Sequence, residues 1–147
     1  MSSKPSAVRK WTTSEASIIR SSYRRLSQHP GIAVCREVPL LGRSVDLLYL
    51  HRIVTVSIEF KLRDWQRAIT QARDHRLGVD RAYICMPPRK VSAELLSGLA
   101  SSGVGLMFYC AHSNWPFEIV VEAPQSTDTI RLLRSRIRRY VREKMEK

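Results

Sequence analysis

Cysteine, glycine and long apolar runs are scarce in this chain, and each shortage excludes a class of protein. The 147 residues include three cysteines and six glycines. Cys35, Cys85 and Cys110 lie in apolar runs without zinc-ligand or disulfide spacing, which favours a reducing cytoplasm. The first residues lack the apolar centre of a signal peptide, and no apolar run approaches the ~20 residues that cross a membrane. We therefore expect a cytoplasmic protein with no membrane segment, no zinc site and no glycine-rich phosphate loop.

Acidic residues are also few. There are 13 Asp and Glu against 25 Lys and Arg, so the formal net charge is +12 at pH 7. Most of the excess is arginine, whose planar guanidinium pairs with phosphate better than an ammonium group does. The charge favours a polyanionic partner: DNA is the expected one, RNA is the alternative, and an anionic membrane surface fits less well.

Length and composition favour a single domain. With 44% hydrophobic and 26% charged residues, the chain has an ordinary globular composition and is long enough to bury a core. We predict one domain over residues 1–147, with a flexible basic arm at 1–11 and a basic C-terminal helix within 128–147.

Hydrophobic periodicity predicts an α/β chain with the element order α-β-β-β-α-β-α-β, then one more strand and helix. The first helix is expected to open at Thr12-Thr13-Ser14-Glu15 and to end before Pro30-Gly31. The expected strands are 32–38, 44–50, 53–60, 81–86, 105–110 and 117–121. The later helices are expected at 64–76, 91–101 and 128–144. Three antiparallel strands joined to βα crossovers imply a mixed sheet with helices on both faces.

Three charged residues on the second and third strands are expected to share one face of this sheet. Glu59 and Lys61 lie two residues apart, so their side chains point the same way. A hairpin turn is expected at His51-Arg52; a two-residue loop would place Asp46 opposite Ser57, and a four-residue loop would place it opposite Glu59. In either register the two carboxylates and the ammonium group converge. That combination suits a divalent cation, a phosphodiester and a water molecule.

This pattern resembles the core signature of the PD-(D/E)XK nuclease superfamily. The signature is an acid on the second strand, here Asp46, and (D/E)-x-K on the third, here Glu59-Phe60-Lys61. The likeness covers roughly residues 13–110 and includes the element order, although Val45 stands where a proline usually precedes the first acid. The resemblance implies a restriction-endonuclease-like core, α-β-β-β-α-β, with a mixed sheet flanked by helices and the basic C-terminal helix added to it.

The same resemblance implies a function and roles for these residues. The expected activity is Mg²⁺- or Mn²⁺-dependent endonucleolytic hydrolysis of DNA, of the restriction, repair or junction-resolving type. Asp46 and Glu59, with the Phe60 carbonyl, would hold the metal ion, and Lys61 would orient the attacking water or stabilise charge on the phosphate.

Three further residues have alternative interpretations. Some members of the superfamily carry an acid on the first helix beside the metal site, which Glu15 would supply, but its spacing from Thr12 fits a capping box better. Many members carry a glutamine on the helix after the E-x-K strand; Gln71 would fill that catalytic position or be a plain surface residue. His75, one turn later, could border the site but is expected to be a surface histidine.

The alternative to catalysis is a polar strand face that binds no metal. The alternation of apolar and polar residues in strand 53–60 also fits a solvated face with a cross-strand ion pair. The alanine-rich helix that follows favours burial of this face instead, and buried carboxylates need a partner such as a metal ion. The remaining alternative function is a catalytically inactive nucleic-acid-binding or protein-interaction subunit on the same fold.

The C-terminal helix is expected to bind DNA phosphates. Its apolar stripe would pack inward and turn the basic residues outward. The proposed phosphate-binding residues are Arg131, Arg134, Arg138, Arg139 and Arg142. The same stripe could instead dock a second subunit, and a homodimer would allow both DNA strands to be cut.

Overall fold

A six-stranded mixed β-sheet forms the centre of the protein in the computed structural model, which describes residues 14–127 and 129–145. The strands are β1 (Ile32–Leu40), β2 (Arg43–His51), β3 (Val54–Phe60), β4 (Arg81–Met86), β5 (Gly105–Tyr109) and β6 (Phe117–Val121). The helices are α1 (Glu15–Ser27), α2 (Trp65–His75), α3 (Ala93–Ser102) and α4 (Arg131–Met145). The expected basic arm at 1–11 lies outside the described residues.

The strands are ordered in space as they are in sequence, from β1 to β6. Pairs β1–β2 and β2–β3 are antiparallel, β3–β4 and β4–β5 are parallel, and β6 returns antiparallel to β5. The parallel pairs are joined by α2 and α3, as βα crossovers require. The expected fold class, a mixed sheet flanked by helices with a C-terminal helix added, is confirmed.

Two apolar clusters bury the two faces of the sheet. On one face, a single cluster contains Ile18 and Leu26 of α1 together with Val56 and Ile58 of β3. The other cluster contains residues of α2, α3 and α4, together with the sheet residues Leu48 and Ile84. Helices therefore cover both sides of β3, whose residues 55–60 are all buried. The strand face that carries Glu59 is not solvated.

The hairpin between β2 and β3 sets the register of the charged residues. Leu47 pairs with Ile58 and His51 with Val54, so the turn is Arg52-Ile53, one residue later than expected. Arg52 adopts the left-handed conformation that such a tight turn requires, with φ of 59°. One step beyond the Leu47–Ile58 pair, this register brings Asp46 beside Glu59. Of the two predicted registers, the one that pairs the carboxylates is observed.

Buried Asp80 ties α4 to the sheet. Its carboxylate, 4% exposed, accepts hydrogen bonds from Arg134 (3.3 Å) and Arg138 (3.4 Å), as well as from Thr55 and Gln125. The expectation that all the α4 arginines turn outward is therefore wrong for Arg134 and Arg138. Helical periodicity places them off the apolar stripe but contains no information about a buried anion beneath the helix.

The start of α4 also differs from the expectation. The helix begins at Arg131, and the expected start at Asp128 lies outside the described residues. Ile137 and Val141 form its buried stripe, while Ile130 and Leu132 are 47% and 63% exposed. Across residues 14–127 and 129–145, no helix is long and apolar enough to cross a membrane.

Candidate active site

Asp46, Glu59 and Lys61 line one open cleft of about 440 Å³. Asp46 is near the start of β2, Glu59 near the end of β3, and Lys61 directly after β3. The structure thus brings together the three residues of the sequence motif. It also buries Glu59, whose exposed fraction is 5%, while Asp46 and Lys61 are partly exposed. A carboxyl group this deep, next to a second one, cannot ionise as freely as it does in water.

The Asp46 and Glu59 carboxyl groups lie side by side on neighbouring strands, and burial raises the pKa of both. Burial first, and then the charge of Asp46, raise the pKa of Glu59 to about 8. Asp46 is held nearer its charged form because its Oδ2 accepts a hydrogen bond of 3.0 Å from the Phe60 amide. We therefore place the proton on Glu59.

Hydrogen bonds fix the backbone on both sides of Lys61. The Phe60 N–H donates to Asp46, the Lys61 N–H donates to the Cys85 carbonyl at 3.1 Å, and the Leu62 N–H donates to Glu15 Oε2 at 3.0 Å. Three successive amides therefore have fixed partners. Lys61 lies directly after the strand, where an unpaired chain would fray. These contacts hold its backbone in place, and its side chain lines the cleft.

Glu15 belongs to the cleft and not to a capping box. The residue that caps α1 is Ser14, whose side chain accepts a hydrogen bond from the Ser17 amide. Glu15 is the first residue of the helix, and its carboxylate reaches the Leu62 amide and lines the cleft. Thr12, the residue expected to pair with it, lies outside the described residues. The capping interpretation of Glu15 is wrong, and the additional-acid interpretation stays a prediction.

One stripe of α2 forms a wall of the cleft. Arg67, Gln71 and His75 follow each other at intervals of four residues and all line it. Four residues is close to one helical turn, so the three side chains lie on one face, beside the buried Ala68 and Ala72. Gln71 is partly buried, and its Oε1 is a buried atom without a hydrogen-bond partner among the described residues.

His75 is buried, and the expectation of a surface histidine is wrong. It is 2% exposed, and its Nδ1 lies 4.0 Å from Glu59 Oε1, too far for a hydrogen bond. Burial first, and then the charge of Arg43, lower the pKa of His75 to about 4, so the ring is neutral at pH 7. A neutral imidazole can donate from one nitrogen and accept at the other.

Sequence reasoning missed three residues that line the cleft. These are Arg43 and Ser44 at the start of β2, and Arg67 on α2. A signal was present for Arg67, because it precedes Gln71 by four residues, about one helical turn. No sequence signal marked Arg43; it reaches the cleft because the Leu41-Gly42 turn, with φ of 53° and 78°, folds the hairpin tightly.

The cleft offers oxygen ligands of the kind that Mg²⁺ binds. Glu59 Oε1 is buried and lacks a hydrogen-bond partner among the described residues. The N–H and C=O of one strand residue point to the same side, so the Phe60 carbonyl faces the side on which Asp46 takes the Phe60 amide. Within residues 14–127 and 129–145, no three His, Cys, Asp or Glu side chains are arranged to hold a metal by themselves. Two carboxylates, a carbonyl and waters make a set that Mg²⁺ accepts, since it keeps several waters when bound.

The α4 arginines divide into two groups. Arg131, Arg139 and Arg142 are exposed, so their expected phosphate contacts stay a prediction. Arg134 and Arg138 are partly buried against Asp80 and are left out of the proposed DNA-binding surface.

Comparison with known proteins gives a structural likeness to a solved protein. No protein-family model matches the chain, and no curated protein matches it. Among solved structures, SfsA of Pyrococcus furiosus in complex with Ca²⁺ aligns with a TM-score of 0.39 and 18% sequence identity. The alignment covers 73% of this chain and 60% of that chain. This chain is therefore similar to part of that structure.

Proposed function

We propose that this protein is a metal-dependent nuclease of the PD-(D/E)XK type that hydrolyses DNA phosphodiester bonds. The observation that carries the proposal is the buried carboxyl group of Glu59 beside the partly buried one of Asp46, in an open cleft that Lys61 also lines. Placing two carboxyl groups side by side with this little solvent is unfavourable for folding, so the arrangement calls for a ligand that favours their charged forms. A divalent cation is the simplest such ligand.

Asp46 and Glu59, with the Phe60 carbonyl, would hold Mg²⁺ or Mn²⁺. A metal ion bound there would polarise the scissile phosphate and lower the pKa of a bound water. Glu59 must release its proton when it becomes a ligand, and the ionised Asp46 is fixed in place by the Phe60 amide. The buried His75 ring is neutral and adds no charge to the site.

Lys61 would act on the reacting phosphate. Its backbone is fixed by hydrogen bonds to Cys85, and on either side by those to Asp46 and Glu15. An ammonium group that extends from this fixed backbone into the cleft can orient the attacking water and stabilise the negative charge that develops on the phosphate oxygens. Gln71, with a buried oxygen that has no partner among the described residues, could accept a hydrogen bond from the same water.

A cleavage assay on plasmid and branched DNA with Mg²⁺, Mn²⁺ or EDTA tests the proposal. We expect cleavage with either metal and none in EDTA. Asp46→Ala protein, purified in parallel, controls for contaminating nucleases. Equal cleavage by wild type and variant, or no cleavage of any DNA with either metal, would contradict the proposed function.

The replacement Lys61→Ala is expected to slow chemistry while leaving binding almost unchanged. The ammonium group acts at the reacting centre, so its loss should lower the single-turnover rate by roughly 10²-fold, with DNA affinity within about twofold. Single-turnover cleavage and fluorescence anisotropy measure the two quantities. A matching loss of affinity at an unchanged single-turnover rate would make Lys61 a backbone-binding residue only.

One observation favours a second candidate, a DNA-binding subunit without catalysis. Among the described residues, no three ligating side chains are grouped to hold a metal unaided. Such a protein would still bind DNA through its positive charge, but neither Mg²⁺ nor Mn²⁺ would promote cleavage. The assay above separates the two candidates directly.

A further inference from the structure

Two arginines at the cleft have no partner within the part of the chain that the structure describes. Arg43 lies at the start of β2 and Arg67 in the first turn of α2, and both are exposed. Neither guanidinium has an ion pair or a side-chain hydrogen bond with the described residues, although both line the cleft that contains the carboxyl pair. Other arginines are committed to the fold: Arg25 donates to Cys110 and Ser113, and Arg134 and Arg138 bind Asp80.

The charges that line the cleft favour an anion once a divalent cation is bound. Its cations are Arg43, Lys61 and Arg67, and its acids are Glu15, Asp46 and Glu59. Three positive and three negative groups balance each other, so a bound divalent cation would give the cleft a net positive charge. That charge would attract a phosphodiester.

The two arginines lie on different elements that border the cleft, Arg43 on β2 and Arg67 on α2. Arg67 is followed on the same helix face by the partly buried Gln71 and the buried His75, so exposure rises along this stripe away from the carboxyl pair. Arg43 is the first residue of β2, three positions before Asp46, and lines the cleft from the strand side. The carboxyl pair thus has a free guanidinium on the strand side and another on the helix side.

We infer that Arg43 and Arg67 bind backbone phosphates on either side of the scissile bond, an inference that rests on the proposed nuclease function. Each guanidinium can make two parallel hydrogen bonds to one phosphate. Contacts of this kind fix the position of a nucleic-acid strand without reading its sequence. The pair therefore positions the substrate over Asp46 and Glu59, and the substrate class is a nucleic-acid strand with a phosphate on both sides of the cleaved bond.

Binding without cleavage tests this inference first. Arg43→Gln, Arg67→Gln and the double variant are titrated against a labelled DNA duplex in EDTA by fluorescence anisotropy at several salt concentrations. Each single variant should bind about tenfold more weakly, and each lost contact should reduce the slope of log affinity against log salt by about 0.9. The matched control is Arg73→Gln, which removes an equal charge from an exposed position on α2 that lies outside the cleft. It should change affinity less than about twofold.

Cleavage kinetics with Mg²⁺ separate phosphate binding from a purely structural role, because loss of a phosphate contact changes KM and leaves kcat nearly unchanged. The glutamine variants should raise KM about tenfold and change kcat less than about threefold, whereas Arg→Lys variants should recover most of the salt slope. The lysine variants also keep the test informative if a glutamine variant fails to fold. Wild-type affinity, salt slope and KM in folded Arg43→Gln and Arg67→Gln would overturn the inference while leaving the nuclease proposal intact. Weaker binding by these variants, with no cleavage by wild type, would support the phosphate contacts and contradict the nuclease.

Discussion

The replacement Glu59→Gln is expected to abolish Mg²⁺-dependent DNA cleavage, with a rate loss of about 10³-fold or more. The amide cannot ionise, so it cannot supply the anionic ligand that the proposed metal site needs. DNA affinity in EDTA should stay within about twofold of wild type, because Glu59 already carries a proton at neutral pH. Asp46→Ala should be equally inactive, and it should bind DNA more tightly in EDTA because it removes a negative charge from the cleft. Single-turnover cleavage and anisotropy measure both effects.

The control for these variants is Glu118→Gln on β6, an exposed glutamate far from the site in the order of the sheet. It should cut DNA at the wild-type rate.

The pH dependence of thermal stability shows whether the Glu59→Gln variant is folded. A carboxyl whose folded pKa is raised from 4.5 to about 8 contributes stability below pH 4.5 and loses it as pH rises through 8. The metal-free glutamine variant should therefore unfold at a higher temperature than wild type at pH 9. Full activity in a folded Glu59→Gln variant would refute the metal-site assignment.

The replacement Asp80→Asn is expected to destabilise the protein by about 3 kcal/mol, with a fall in Tm of roughly 10 °C. The carboxylate is 4% exposed, and its loss leaves Arg134 and Arg138, themselves only 31% and 22% exposed, without their anion. The value lies at the lower end of those for buried ion pairs because both guanidinium groups reach solvent. Thermal and urea unfolding measure the change.

The matched control is Asp74→Asn, which removes a carboxylate from a partly exposed surface pair with Arg73. It should lower the free energy of unfolding by less than about 0.5 kcal/mol.

Acid should also weaken the Asp80 contacts. Burial acts to raise the pKa of Asp80, but the Thr55 hydrogen bonds and the charge of Arg138 outweigh it and lower the pKa. Stability from this group is thus present above the ordinary Asp pKa and is lost as pH falls through the lowered value. Equal stability of Asp80→Asn and wild type would show that α4 is held by its apolar stripe alone.

The sheet and its motif were predictable because they depend on patterns of period two. Alternation along β3 places Glu59 and Lys61 on one face, and an antiparallel partner with either turn brings Asp46 to the same side. The observed turn, Arg52-Ile53, is one residue later than the expected turn, His51-Arg52. Both are two-residue turns, so turn length alone does not distinguish them. The difference decides between two registers and therefore decides whether Asp46 meets Ser57 or Glu59.

What the sequence did not predict depends on contacts between distant elements. Periodicity along α4 identifies the buried Ile137 and Val141, but it cannot show that Asp80, more than 50 positions earlier, lies beneath Arg134 and Arg138. The helix pattern of α2 likewise cannot show that its polar stripe faces a polar strand, which is why His75 was expected at the surface. Both errors concern polar residues that are buried beside a polar residue of a distant element.

Calorimetric titration of the metal-free protein with Mn²⁺ at pH 7 is the most direct test of the metal site. The titration is repeated in buffers of different ionisation enthalpy, so that proton release can be counted alongside binding. Because the pKa of Glu59 is raised to about 8, we expect one Mn²⁺ to bind and about one proton to leave. Glu59→Gln should show neither saturable binding nor proton release. Absence of Mn²⁺ binding by wild type, or identical binding by wild type and Glu59→Gln, would contradict the proposal that the Asp46–Glu59 pair is a catalytic metal site.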